Sequence, residues 1–188
     1  MSSAQEAFES LVRDHVWPSL REHGFKRSKA TFHRRHGPNW QVVNLQKSEY
    51  SSRDMVSFTV NLAIGIAALR EGPLSWPDGR RPAESRCHVR ERLGSLLTGE
   101  DVWWSVAAHG DVERTSEAVR IALETYGLPW LDAHADDERL AAMARDPAAL
   151  RTTSAWVLHP MARLVRKRGD ERAAEAVEQE LARRAGQS

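Results

Sequence analysis

The sequence predicts an α+β fold: an antiparallel meander sheet with helices packed on one face, followed by a C-terminal helical extension. Two observations carry the sheet. Val56, Phe58, Val60, Leu62, Ile64 and Ile66 form an apolar row that alternates with a small, polar row of Ser57, Thr59, Asn61, Ala63 and Gly65. Strand side chains alternate with period two, so these are the two faces of one strand. In the segment before it, Trp40, Val42, Asn44, Gln46 and Ser48 fall on one side and Gln41, Val43, Leu45 and Lys47 on the other. A third observation carries the helices: apolar residues at helical spacing both precede the strands and follow Asp111.

The elements follow in order. Ser3 and Glu6 make a capping-box pair, after which Phe8, Leu11, Val12, His15, Val16 and Leu20 recur at helical spacing. Pro18 removes a backbone donor inside this pattern and predicts a kink or a split, and Gly24 supplies the stop. Residues 25–29 and 31–36 lead into the sheet, with Gly37, Pro38 and Asn39 as a turn. Residues 67–82, rich in Gly, Pro and Asp, read as a long surface loop anchored by Trp76. Long ordered loops are disproportionately functional. A fourth strand is expected over 86–93, with Cys87, Val89 and Leu93 on one side and Arg86, His88, Arg90 and Arg92 on the other. Residues 101–106, with the Trp103-Trp104 pair, read as a short fifth strand or a helical turn. A helix follows with Val119, Leu123 and Tyr126 on its stripe and Gly127 as a left-handed cap, and 128–131 is a short apolar exit. Residues 137–144, 147–150, 155–168 and 170–185 suggest a run of helices, with Gly169-Asp170 as stop and start. The expected division is 1–132 for the sheet domain and 133–188 for the helical extension, packed on the same core.

With 188 residues, 41% hydrophobic and 28% charged, the chain has the composition of an ordinary globular protein able to bury its own core. No apolar run approaches the roughly 20 residues a membrane-spanning helix requires. The first residues lack the basic and apolar regions of a signal peptide, and a lone Cys87 suits a reducing compartment, so a cytoplasmic protein is expected. The net charge of +1 conceals segregation. Basic stretches at 21–36, 80–92 and 163–168 contrast with Asp132, Asp136, Asp137 and Glu138. Such stretches are most often solvated faces, and the low overall charge argues against nucleic acid as a partner.

Motifs for catalysis are missing. The eight histidines include no HExxH, no CxxC accompanies them, and no metal is called for. No serine sits in a GxSxG elbow, Cys87 falls on an apolar side, and the glycines never cluster into a phosphate-cradling loop, so no cofactor is called for either. What remains is the second face of the sheet. In a simple meander Asn44, Gln46, Thr59 and Asn61 share that face, and Arg90 and Arg92 join it when the fourth strand pairs alongside. Amides offer paired donors and acceptors, and guanidinium forks grip carboxylates or phosphates. Trp40 lies on the same face, and exposed tryptophans favour binding patches.

The order of landmarks also resembles a known family. Gly24-Phe25-Lys26-Arg27, Thr31-Phe32-His33-Arg34, the run Trp40 to Ser48, and Phe58-Thr59-Val60-Asn61-Leu62 are similar to a bacterial family catalogued as domain of unknown function 4304. The run Cys87 to Gly94 and Trp103-Trp104 look like its later landmarks, so the resemblance covers roughly residues 8–131. It implies a cytoplasmic α+β domain and transfers no catalytic residue.

The function expected is a non-catalytic recognition module that binds a protein or small anionic ligand on the polar sheet face. Its candidate residues are Asn44, Gln46, Asn61, Arg90, Arg92, Trp40 and His88. One alternative is an enzyme acting on a nucleotide or other anionic metabolite, with Arg90 and Arg92 holding the anion and His88 as acid or base. Nucleic-acid binding through the basic stretches is the other.

Overall fold

A computed structural model describes every residue except 1, 2, 72, 73, 78, 187 and 188. The chain opens with a helical rod over 4–22. Ser3 caps it as expected: its hydroxyl accepts from the Glu6 backbone while the Glu6 carboxylate accepts from the Ser3 N–H. The rod comprises α1 (Ala4–Ser10), a π-helical turn (Leu11–Val16) and α2 (Trp17–Glu22). The α-helix is interrupted just before Pro18, which stands in the first turn of α2. The wide turn, closed by Trp17 N–H on Val12 C=O, precedes the proline and keeps its ring off the carbonyl that an α-turn would press against it. Gly24 ends the rod at φ +81°, a left-handed conformation that favours glycine.

The sheet is the predicted meander. Strands β1 (Lys26–Ser28), β2 (Thr31–His36), β3 (Asn39–Lys47), β4 (Met55–Gly65) and β5 (Val89–Arg92) are successive antiparallel neighbours. Strand β6 (Trp104–Ala107) pairs with the other end of β4, opposite Met55 to Phe58, so β5 and β6 share one edge of that strand. Val43 lies opposite Leu62 and Leu45 opposite Val60, which places the apolar rows on one face. Against that face pack Phe8, Leu11, Val16 and Leu20 of the N-terminal rod, with Phe8 edge-on to Phe58 at 5.2 Å.

Three local readings are corrected. The fourth strand is shorter than 86–93, because residues Glu84–Arg86 form a 3-10 turn and α3 (Leu93–Thr98) begins directly after Arg92. The turn breaks the period-two parity, so Cys87 packs with Val42 and Ala63 on the second face and not beside Val89. Asn39 opens β3 instead of closing the turn, leaving a two-residue loop of Gly37 and Pro38. Gly127 does not cap a helix. Another rod runs through it as α4 (Val112–Ala122), a π-helical turn (Leu123–Gly127) and α5 (Leu128–His134), with Gly127 in right-handed helical geometry. A side chain there would stand 3.2 Å from Leu93 and 3.6 Å from Leu62, so the glycine serves close approach instead.

The remaining helices lie within a residue or two of their expected bounds: α6 (Asp137–Arg145), α7 (Pro147–Thr152), α8 (Ala155–Lys167) and α9 (Glu171–Ala185). Helix α8 packs on β5 and on the 3-10 turn Ala67–Leu69, while α6 packs on α5, α8 and α9. Their apolar residues, among them Leu140, Leu158, Met161 and Val177, join the same core cluster as the sheet.

Polar side chains clasp the α5–α6 corner to the sheet. Buried Gln41 donates from Nε2 to Leu131 C=O at 2.9 Å and accepts from Arg34, whose guanidinium also pairs with Asp132. Buried Asn39 donates to Ala135 C=O at 3.0 Å and to Asp137 at 2.6 Å, and accepts from the Ala67 N–H at 2.8 Å.

Gly94 shows how tight the packing around α3 is. A Cβ there would lie 2.5 Å from the Val102 backbone nitrogen, and a backbone atom cannot yield as a flexible side chain does. Gly94→Ala is expected to cost about 1–3 kcal/mol, read as a lower urea midpoint at unchanged slope. An unchanged midpoint would refute this account of the contact.

Candidate binding cleft

The second sheet face is neither bare nor uniformly wet, because the segment after β4 folds back across it. Trp76 and Pro82 close on Gly65, where a side chain would lie 3.2 and 3.1 Å from them. His33 donates from Nε2 to Pro82 C=O at 3.0 Å, and Cys87 seals the centre against Val42 and Ala63. The crossing leaves two open depressions on its flanks, with Glu84 in the wall of both.

One is a cleft of about 380 Å³ lined by Gln46, Asn61, Glu84, Arg90, Glu91, Arg92, Ser95 and Trp156. The register explains the convergence: Arg92 lies opposite Asn61 and Arg90 opposite Ala63, so both guanidiniums rise from β5 on the second face. Gln46 reaches the same place from β3, opposite Thr59. Asn61 donates to Gln46 Oε1 at 2.9 Å, and Asn44 donates to Thr31 at 2.8 Å in the adjoining strands. Arg90 Nε donates to Glu84 at 2.7 Å. Arg92 pairs with Asp101 and lies over the ring of Trp103, which is 40% exposed and itself donates to Asp101. Trp156, on the first turn of α8, stands 70% exposed at the rim.

Of the seven candidates, Gln46, Asn61, Arg90 and Arg92 therefore share one cleft. Asn44 lines the other depression, about 670 Å³, with Thr31, His33 and Ser85. Trp40 lies apart, edge-on to His33 at 6.2 Å and beneath the Arg35 guanidinium at 4.8 Å. His88 lines neither. Its ring is buried against Trp76, Nδ1 accepts from the Ile66 N–H at 3.1 Å, and Nε2 donates to Leu69 C=O at 2.9 Å. Both ring nitrogens serve the backbone, so His88 is not placed to act as acid or base on a ligand in the cleft.

Sequence reasoning missed Trp156, Glu84 and Ser95. Trp156 lies beyond the sheet domain, on a helix whose place beside β5 has no local signature. Glu84 and Ser95 follow from the 3-10 turn and α3, which interrupt the strand pattern. Of the Trp103-Trp104 pair only the first is exposed, while the half-buried Trp104 stacks on core Phe58.

Burial pushes the Cys87 thiol well above its ordinary range, leaving it protonated with Sγ toward Ala83 C=O. Among the described residues no three His, Cys, Asp or Glu side chains gather as a metal-holding group, and no helix is long and apolar enough to cross a membrane. A family model described as Domain of unknown function (DUF4304) matches residues 16–133, more than half of the chain. No curated protein and no solved structure matches it.

The histidines make stability pH-dependent. Burial, helped by the charge of Arg163, pushes His88 down to about 4, against the opposing pull of its bond to Leu69. Burial lowers His33 and His134 as well. An unfolded histidine takes its proton near pH 6.5, so between about 6.5 and 4 the unfolded chain binds more protons than the folded one. The stability is fully present above that window and is lost as pH falls through it, by roughly 3 kcal/mol for His88 alone. The melting temperature should therefore fall from pH 7 to 4.5, and less steeply in His88→Gln, which keeps a donor and an acceptor but does not titrate. Parallel curves for the two proteins would remove His88 as the cause.

Proposed function

From the premise that the chain belongs to the DUF4304 family, we propose that it is a non-catalytic recognition module binding a protein or small anionic ligand in the Gln46–Asn61–Arg90–Arg92 cleft. The observation that carries this reading is the convergence of two amides and two guanidiniums from three strands beside an exposed tryptophan of a fourth element. Each arginine is held by one carboxylate, which positions the guanidinium and leaves its other N–H groups for a ligand. The Arg92–Asp101 pair is exposed on both sides, and such pairs are worth only about 0–1 kcal/mol, so exchanging Asp101 for a ligand's carboxylate costs little. A large exposed indole beside such donors supplies the apolar contact from which binding hot spots are built.

Two observations weigh against the rivals. The enzyme reading asked His88 for proton transfer, and that ring is spent on the backbone. The nucleic-acid reading asked for free basic stretches, yet Arg34 pairs with Asp132, Arg166 with Glu171 and Glu178, and Arg168 with Glu138. In the 163–168 stretch most of the charge segregated along the sequence is thus recombined in the fold.

The test is quantitative co-purification of the tagged protein from its native cells, with native mass spectrometry for small molecules. Trp156→Ala and Arg90→Gln change groups at the rim and should move the melting temperature by no more than a few degrees. Both should lose a stoichiometric protein or small-molecule partner that the parent retains. A parent recovered bare, or a partner kept by both variants, would defeat the proposal.

A further inference from the structure

The cleft is specific enough to name the chemistry it takes, an inference that rests on the recognition reading above. Asn61 is only 4% exposed. Its Nδ2 serves Gln46 and, at 3.5 Å, Asn44, while its Oδ1 accepts no hydrogen bond among the described residues. That oxygen is not sealed from solvent, so the floor of the cleft presents an acceptor whose water an incoming N–H can replace. Arg92 stands directly across from this amide and Arg90 two residues further along the same strand and face. Their two positive charges face Glu84 and Glu91 in the wall, and Asp101 pairs with Arg92 beside it.

This balance selects among anions. Phosphate brings up to two negative charges beside three carboxylates and, as the dianion, offers no donor to Asn61. A ligand with a single carboxylate, an N–H one carbon away and an apolar group suits all three features. The last residue of a polypeptide has that constitution, and capture of a terminal carboxylate by convergent donors is an established mode of peptide recognition. We propose that the cleft binds the C-terminal residue of a partner protein. The carboxylate lies at Arg90 and Arg92, the terminal amide N–H donates to Asn61 Oδ1, and the side chain packs on Trp156. The rim at Trp156 is open to solvent, which lets the rest of the partner chain leave the cleft.

The probes are acetylated tripeptides ending in phenylalanine, leucine or aspartate, each as free acid and as C-terminal amide, with free phenylalanine and inorganic phosphate alongside. Each is titrated to about 10 mM, enough to detect weak binding, into the isotope-labelled full chain while the Asn61 and Gln46 side-chain amides and the Trp156 indole are followed by NMR. Saturable shifts are expected from the apolar free acids, with affinity at least about tenfold weaker for the amides. Arg90→Gln combined with Arg92→Gln should bind acid and amide alike. Equal binding of acid and amide by the parent overturns the inference while leaving a recognition cleft. Tighter binding of phosphate or free phenylalanine reassigns the cleft to a small anion and also overturns it. Silence of all three reporters with every probe overturns it too, and the co-purification experiment then decides the recognition reading independently.

Discussion

Strand β4 is hydrogen-bonded along both edges and covered on both faces, and the rest of the molecule is arranged around that constraint. Val56, Phe58, Val60, Leu62 and Ile64 sit fully or almost fully buried in the core. Each such side chain contributes on the order of 1.5–3 kcal/mol relative to exposure. The opposite row is buried as well, but under a loop that must pass close. Gly65 admits Trp76 and Pro82, Ala63 admits Cys87, and Thr59 reaches Val102 C=O at 3.3 Å. Small and polar residues stand there because one backbone crosses another, which an apolar row of ordinary size would forbid. Asn61 marks where the crossing stops and the cleft begins.

The two ends of the chain meet through polar bonds as much as through apolar burial. Asn39 and Gln41 are both buried, and each satisfies carbonyls at the α5–α6 corner that no helix would satisfy by itself. Buried amides of this kind cost stability when unpaired and specify geometry when paired. They fix the angle at which helices α6 to α9 leave the sheet, and with it the position of Trp156 beside β5.

Much of the architecture was legible because it is written in local periodicity. The two rows of β4, the capping box at Ser3, the stop at Gly24 and the four C-terminal helices each have a signature within a dozen residues. What escaped depends on partners distant in the chain. Nothing near Gly127 distinguishes a glycine needed for positive φ from one needed to admit Leu62 and Leu93. Parity carried Arg90 and Arg92 to the correct face, but the 3-10 turn before them moved Cys87 across the sheet and tied His88 to the backbone. The candidate amides and arginines could be assembled from register, since strand pairing is nearly determined by the meander. Trp156 could not, because helix–sheet docking leaves no repeat in the sequence.

The π-helical turns recur in a common setting, each ending one residue before a residue-proline pair: Val16 before Trp17-Pro18, and Gly127 before Leu128-Pro129. A π turn holds one residue more than the α-turn it replaces while leaving the helix on either side in phase. The closing bonds accordingly span five residues, from Trp17 N–H to Val12 C=O and from Leu128 N–H to Leu123 C=O, where an α-helical bond spans four. These turns are the points at which either rod can change length by one residue without rotating its remainder. Each proline locks the longer form, because in the shorter one its ring would meet the carbonyl four residues back. Removing the extra residue while keeping the proline would therefore press that ring onto a carbonyl, so length and proline at these positions act together.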